Sequence, residues 1–218
     1  MASIGLWAVV FDLDDTLYSE REYVRSGFNA VSAAAPEIDG MAEKLWSAFE
    51  AGEPAIDAVL KREGFEELKD GCLKAYREQM PDIHLYTGAM ELIQSLHDKG
   101  IKVGILTDGR PEGQRNKLTA LGLEEVVDEI VVTDELGGAE YRKPNEAGFR
   151  VIQQKLNVPF LSMVYVGDNL KKDFIAPKAL GMKTLWFNNS NGLYCKDGTQ
   201  SFLDIIAALN EVAGNGVE

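Results

Sequence analysis

Cysteine and histidine are scarce in this chain, with two of each in 218 residues. Cys72 and Cys195 stand far apart and in no CxxC spacing, which excludes a disulfide framework and points to a reducing, intracellular compartment. His84 and His97 have no metal-ligand spacing, so surface or hinge positions are expected for both. Cationic residues are also in deficit: 22 Lys and Arg stand against 35 Asp and Glu, for a formal net charge of −13. Nucleic acid and anionic membrane surfaces would repel such a protein and are excluded as general partners. The Lys171-Lys172 pair is too short a cluster to change that. No apolar run is long enough to span a bilayer. The one nearest the N-terminus is interrupted by Asp12 and lacks a basic region, so neither a membrane span nor a signal peptide is expected, and the expected location is the cytoplasm. Without a secretory signal, the sequon Asn188-Asn189-Ser190 reads as an ordinary turn. Internal repeats and low-complexity tracts are absent.

What is present suits a core domain with a sizeable insert: 45% of the residues are hydrophobic, enough to bury a core without staples. The run Leu6-Trp7-Ala8-Val9-Val10 reads as a buried strand. From residue 85 onward helical and strand patterns alternate. Strands are predicted at 102–106, 129–132, 163–166 and 184–187, and helices at 89–99, 112–121, 146–156 and 170–180. In the first of these helices Met90, Ile93 and Leu96 are expected on one buried stripe. Such alternation predicts an α/β fold, a parallel sheet covered by helices on both faces, with ligands at the carboxyl ends of the strands. Between residues 18 and 85 the pattern is helical without a convincing strand, with helices at 41–50, 55–63 and 66–78. This block reads as an insertion whose two connections, near residues 18–20 and 81–84, lie beside each other. Trp46 and Phe49 are expected to pack its interior, while Arg21, Tyr23 and Arg25 begin it close to Asp12 and are expected at the exposed surface, with contact to a bound ligand the lesser alternative.

The first strand runs into Phe11-Asp12-Leu13-Asp14-Asp15-Thr16-Leu17. Side chains repeat every second residue along a strand, so Asp12 and Asp14 fall on the same side. Two like charges held together are tolerated where a divalent cation bridges them or where one carboxyl keeps its proton. Three further strand ends carry polar groups: Thr107-Asp108-Gly109, then Lys143-Pro144 after a loop with Gly137, Gly138 and Arg142, and Gly167-Asp168 followed by Asp173. A lysine in such a place supplies a compact point charge beside the carboxylates.

In that order, these segments resemble the four motifs of the haloacid dehalogenase (HAD) superfamily, in its phosphatase branch. The resemblance spans residues 6–187 and implies a doubly wound, Rossmann-like core at 1–17 and 86–218 with a helical cap domain at 18–85. It implies that Asp12 is the nucleophile, that Asp14 is the general acid and base, and that Thr107 with the amides near Asp108 and Gly109 binds the phosphoryl oxygens. Lys143 would share in that binding. Magnesium would take a carboxylate oxygen of Asp12, the backbone carbonyl of Asp14 and Asp168, with Asp173 either a ligand or a partner of one. The aspartate two positions after the nucleophile favours phosphate esters over carbon–halogen bonds. The reaction implied is Mg²⁺-dependent hydrolysis of a small phosphorylated metabolite, such as a sugar phosphate or nucleotide monophosphate, through an aspartyl phosphate. The alternatives are a phosphomutase of the same superfamily and a catalytically idle binding protein. One residue departs from the pattern: Asp108 stands where asparagine often follows the threonine, and an inward-pointing carboxylate there would repel a phosphate. Substrate identity and oligomeric state are left open.

Overall fold

The computed structural model describes residues 5–195 and 198–214. Five strands, β1 (Ala8–Phe11), β2 (Lys102–Thr107), β3 (Glu129–Val132), β4 (Met163–Gly167) and β5 (Lys183–Trp186), form one parallel sheet in the order β3-β2-β1-β4-β5. The helices are α1 (Glu20–Ala34), α2 (Met41–Glu50), α3 (Ala55–Glu63), α4 (Lys69–Glu78), α5 (Ala89–Asp98), α6 (Pro111–Ala120), α7 (Ala147–Leu156), α8 (Ile175–Ala179) and α9 (Phe202–Gly214).

The unbroken apolar run of β1 is explained by burial on both faces. Val9 and Phe11 join α5, α6 and α9 through Leu92, Ile93, Leu96, Leu118, Ile205 and Leu209. Ala8 and Val10 face the other way, toward Phe149, Ile152 and Leu156 of α7. Val9 sits between Val103 and Val164, so β1 is the central strand. The chain leaves it for β2 on one side and β4 on the other, which makes its carboxyl end the point where the winding reverses and a crevice opens.

Helices α1 to α4 lie between β1 and α5 and have a hydrophobic centre of their own. Val24, Phe28 and Val31 of α1, at helical spacing, meet Met41, Leu45, Val59, Leu60 and Cys72. Trp46 and Phe49 pack against this cluster as expected. Arg21 and Arg25 are spent there too, over Phe49 and Trp46 respectively. The two connections of the insert do lie side by side: Tyr18 bridges Leu85, and the Tyr86 N–H donates to the Leu17 carbonyl at 2.9 Å. His84 is exposed in this return, with Glu22 at 3.6 Å; His97 instead bonds Asp128 at 3.0 Å.

Several sequence expectations need correction. The helix expected over 170–180 forms only at Ile175–Ala179. Pro177 has no N–H to donate and its ring would clash one turn back, so it is tolerated only in a helix's first turn. Upstream, Asn169 Oδ1 accepts the Lys171 N–H and Asp173 Oδ2 accepts the Asn169 N–H, local bonds that compete with helix. Asp173 therefore lies in a turn rather than in a first helical turn. In α5 the buried stripe is Ala89, Leu92, Ile93 and Leu96, with Met90 exposed at its edge. β1 begins two residues later than expected, leaving Trp7 exposed. Helices α1 and α9 have no counterpart in the sequence-based reading. Among the described residues, no helix is long and apolar enough to cross a membrane.

Candidate active site

The carboxyl ends of β1, β2 and β4 deliver Asp12, Asp108 and Asp168 to one cavity of about 310 Å³. Its wall also holds Asp14, Glu20, Lys143, Lys172 and Tyr194. Asp12 continues the β1 ladder, its N–H donating to the Val166 carbonyl at 2.8 Å, so the carboxylate is aimed by the sheet itself. Beyond it the chain reverses at Asp15, whose positive φ of 54° is stabilised by bonds from the Glu20 and Leu193 N–H groups to its carboxylate. This turn presents Asp14 to the same crevice.

Lys143 is fully buried and binds three groups at once. Its Nζ donates to Asp12 Oδ1 at 2.6 Å and to the Tyr165 hydroxyl at 2.8 Å, and it pairs with Asp173 Oδ1 at 2.9 Å. Asp12, Asp168 and Asp173 each offer a carboxylate oxygen, and these oxygens lie within 4.8 Å of one another. Burial pushes the Asp12 carboxyl up to about 6, with Lys143 opposing and Asp173 adding to the rise. Asp168 is pushed further, up to about 8, by burial and then by Asp12 and Asp173. This corner of the site therefore has more negative charge than Lys143 alone offsets. The close approach of Asp173 to β4 requires glycine at 167, because a Cβ there would stand 2.7 Å from Asp173 Oδ2. The Trp186 indole N–H fixes the Asp168 carbonyl at 2.9 Å.

Asp14 sits apart from that acidic group. Its Oδ1 accepts the Lys117 ammonium at 2.7 Å and the Tyr18 hydroxyl, and its Oδ2 accepts the Gln114 amide at 3.0 Å. Burial alone would raise its pKa, but the Lys117 charge and the bonds from Lys117, Tyr18 and Gln114 outweigh burial and hold it below the usual carboxylate value. Nearby Glu20 is pushed up to about 8, first by burial and then by Asp14.

Thr107 is fully buried at the end of β2, its Oγ1 bonded by Gln114. Asp108 is turned sideways: its Oδ1 accepts the Thr133 hydroxyl at 2.9 Å and the Lys143 N–H at 3.1 Å, while Lys172 lies 3.5 Å from Oδ2. Its charge is thus engaged by the loop carrying Lys143 and by Lys172. Gly109, with φ of 140°, leads from this turn toward α6.

A second, larger cavity of about 860 Å³ adjoins the first and shares Asp14, Glu20 and Asp108 with it. Tyr23, Ile56, Leu73 and Tyr76 of the insert form one wall; Arg110, Gln114 and Lys117 form the other. Of Arg21, Tyr23 and Arg25, for which surface exposure is the expectation from sequence, only Tyr23 lines this space.

The structure brings Asp12, Asp14, Asp108, Lys143 and Asp168 to one cavity, places Asp173 behind Lys143, Thr107 beneath Gln114 and Gly109 on the adjoining cavity, and adds Lys117, Gln114, Tyr18, Glu20, Tyr165 and Tyr194. Lys117 and Gln114 had a legible signal. The segment Pro111-Glu112-Gly113-Gln114-Arg115-Asn116-Lys117-Leu118-Thr119-Ala120 has too few apolar residues for a helix packed on a sheet, so polar groups must occupy its inner face. Tyr194 had none, since it arrives from a loop far along the chain.

The chain belongs to the haloacid dehalogenase-like hydrolase family, matching it over residues 9–187. It is 30% identical over 194 residues to a glyceraldehyde 3-phosphate phosphatase of Methanopyrus kandleri, covering 82% of each chain. It is 26% identical over 197 residues to the pyrimidine 5'-nucleotidase YjjG of Escherichia coli, covering 83% of this chain and 85% of that one. The solved structure of the putative HAD-hydrolase YfnB from Bacillus subtilis, described as bound to magnesium, superposes with a TM-score of 0.69 at 20% identity, over 94% of this chain and 99% of that chain. The resemblance read from the sequence is thus borne out for family and for fold.

Proposed function

We propose that this protein is a metal-dependent phosphatase of small phosphate monoesters, with residues 18–85 acting as a cap over the site. The observation that carries the reading is the Asp12 carboxylate, held by Lys143 at the end of the central strand and facing a cavity rimmed by Asp14 and Asp168. Relatives of the chain are named as phosphatases of chemically different substrates, which supports the reaction rather than any one substrate.

Asp12 would attack phosphorus in line and form an aspartyl phosphate. The Thr107 hydroxyl, the amides of Asp108 and Gly109, and Lys143 would hold the transferred oxygens. Asp14 would protonate the leaving alkoxide and then take a proton from the water that hydrolyses the acyl phosphate. In the resting protein Asp14 is paired with Lys117 and ionised, which suits the second of these roles directly.

The buried oxygen donors of Asp12 and Asp168, with the Asp14 carbonyl, fit a hard divalent cation, and Mg²⁺ bound there would screen nucleophile from phosphoryl group. Asp173, already engaged by Lys143 and the Asn169 N–H, would orient its neighbours.

Phosphate release from a panel of phosphorylated metabolites should therefore vanish in excess chelator and return with Mg²⁺. Full activity in chelator would refute the metal role. Because Asp12 and Asp168 are raised to about 6 and about 8, a cation that needs both ionised must displace protons. Mg²⁺ affinity should accordingly rise as pH increases through that interval, and calorimetry in buffers of different ionisation heat should detect the released protons. A pH-independent affinity would count against these ligands.

A further inference from the structure

We propose that Lys117, together with Gln114, is a positioning residue that aims the Asp14 carboxylate for its acid and base work. This inference rests on the phosphatase reading above. The geometry behind it is a clamp. Lys117 and Gln114 are three residues apart on α6 and so share one face of that helix. One takes Asp14 Oδ1 at 2.7 Å and the other takes Oδ2 at 3.0 Å, which fixes the plane of the carboxylate as well as its direction. Gln114 also bonds Thr107, tying the clamp to the turn that would hold phosphate.

Both clamp residues are buried, Lys117 at 5% exposure and Gln114 at 3%. A buried ion pair is a poor means of stabilising a fold, since apolar side chains of similar volume commonly do as well or better. A lysine retained in this position is therefore better explained by what it does to Asp14 than by what it adds to packing. The same ammonium lies 4.1 Å from the centre of the Tyr23 ring, in α1 of the insert. Next to it, the Asn116 amide donates to the Gln79 carbonyl at 3.0 Å, just past α4. The segment 114–117 thus contacts the insert, the phosphate-binding turn and Asp14 together. The seating of the insert on α6 is coupled to the aim of the acid–base group.

The test uses p-nitrophenyl phosphate, whose leaving group departs without a proton, so that only the second step needs Asp14. In Lys117→Met, rapid mixing should show a burst of nitrophenolate close to one per site, followed by turnover slowed about a hundredfold, the size of loss expected when a reacting group is displaced by about an ångström, with KM lowered in parallel and kcat/KM little changed because the first step is spared. Lys117→Arg should recover most of that loss. Turnover within about threefold of wild type in Lys117→Met, or loss of the burst along with turnover, would overturn the proposal, because a misplaced acid–base group changes rates by more than that and spares the first step. If Lys117→Met does not fold, Gln114→Met is measured in the same way against the same expectations. Asp14→Asn serves as the control for the underlying reading. It should show the same burst and slow turnover. Wild-type turnover in Asp14→Asn would end the acid–base assignment itself, whatever Lys117 does.

Discussion

Asp12→Asn is expected to abolish phosphate release, with a fall of at least about 10⁴-fold in turnover, the scale seen when a covalent nucleophile is removed. An amide cannot form the acyl phosphate, and it offers a cation no charge. The variant should still fold. Asp12 is crowded by Asp168 and Asp173 as well as stabilised by Lys143, so losing its charge removes repulsion along with attraction. A wild-type-like rate in the folded variant would refute Asp12 as the nucleophile. Chemical trapping gives an independent check. Borohydride added to the wild-type enzyme during turnover should convert residue 12 to homoserine, detectable by peptide mass, and should leave Asp14 unmodified.

Lys143→Met should produce the largest loss of stability. The ammonium is fully buried and is the close cationic partner of two buried carboxylates, Asp12 and Asp173. Removing one member of such a group strands the others, at a cost of about 3–5 kcal/mol. In a chain of this size each kcal/mol corresponds to about 2–4 °C, so the melting temperature should fall by roughly 6–20 °C. Added Mg²⁺ should recover part of the fall if the cation binds beside these carboxylates, because it supplies charge of the missing sign. Calorimetric scans of the variant with chelator and with Mg²⁺ test both points. An unchanged melting temperature would show that the acidic group does not depend on Lys143.

The fold was legible in the sequence because its signals are local. Strands buried on both faces read as short branched runs, and β3 was located at 129–132 from Glu129-Ile130-Val131-Val132 alone. Helices α2 and α3 were located as accurately because their apolar residues repeat at helical spacing. Over 170–180 the local helical pattern yields to Pro177, whose missing N–H decides where a helix can start. The candidate site was legible as a set of residues, since Asp12 and Asp168 directly follow strands, Thr107 ends one and Lys143 stands in the loop after another. Their individual surroundings were not. The sideways turn of Asp108 depends on Thr133, and the triple engagement of Lys143 depends on Tyr165 and Asp173.

By itself, then, the amino-acid order determined the five strands, the helices other than α1, α8 and α9, and which residues stand near the strand ends. Backbone periodicity and the chemistry of single residues suffice for that. Only the tertiary structure decided that Lys117 and Gln114 grip Asp14 across about a hundred residues of chain, and that Asp168 and Asp12 crowd each other while Asp14 stands apart. Charge–charge energies depend on distance and burial, and neither exists until the sheet has assembled.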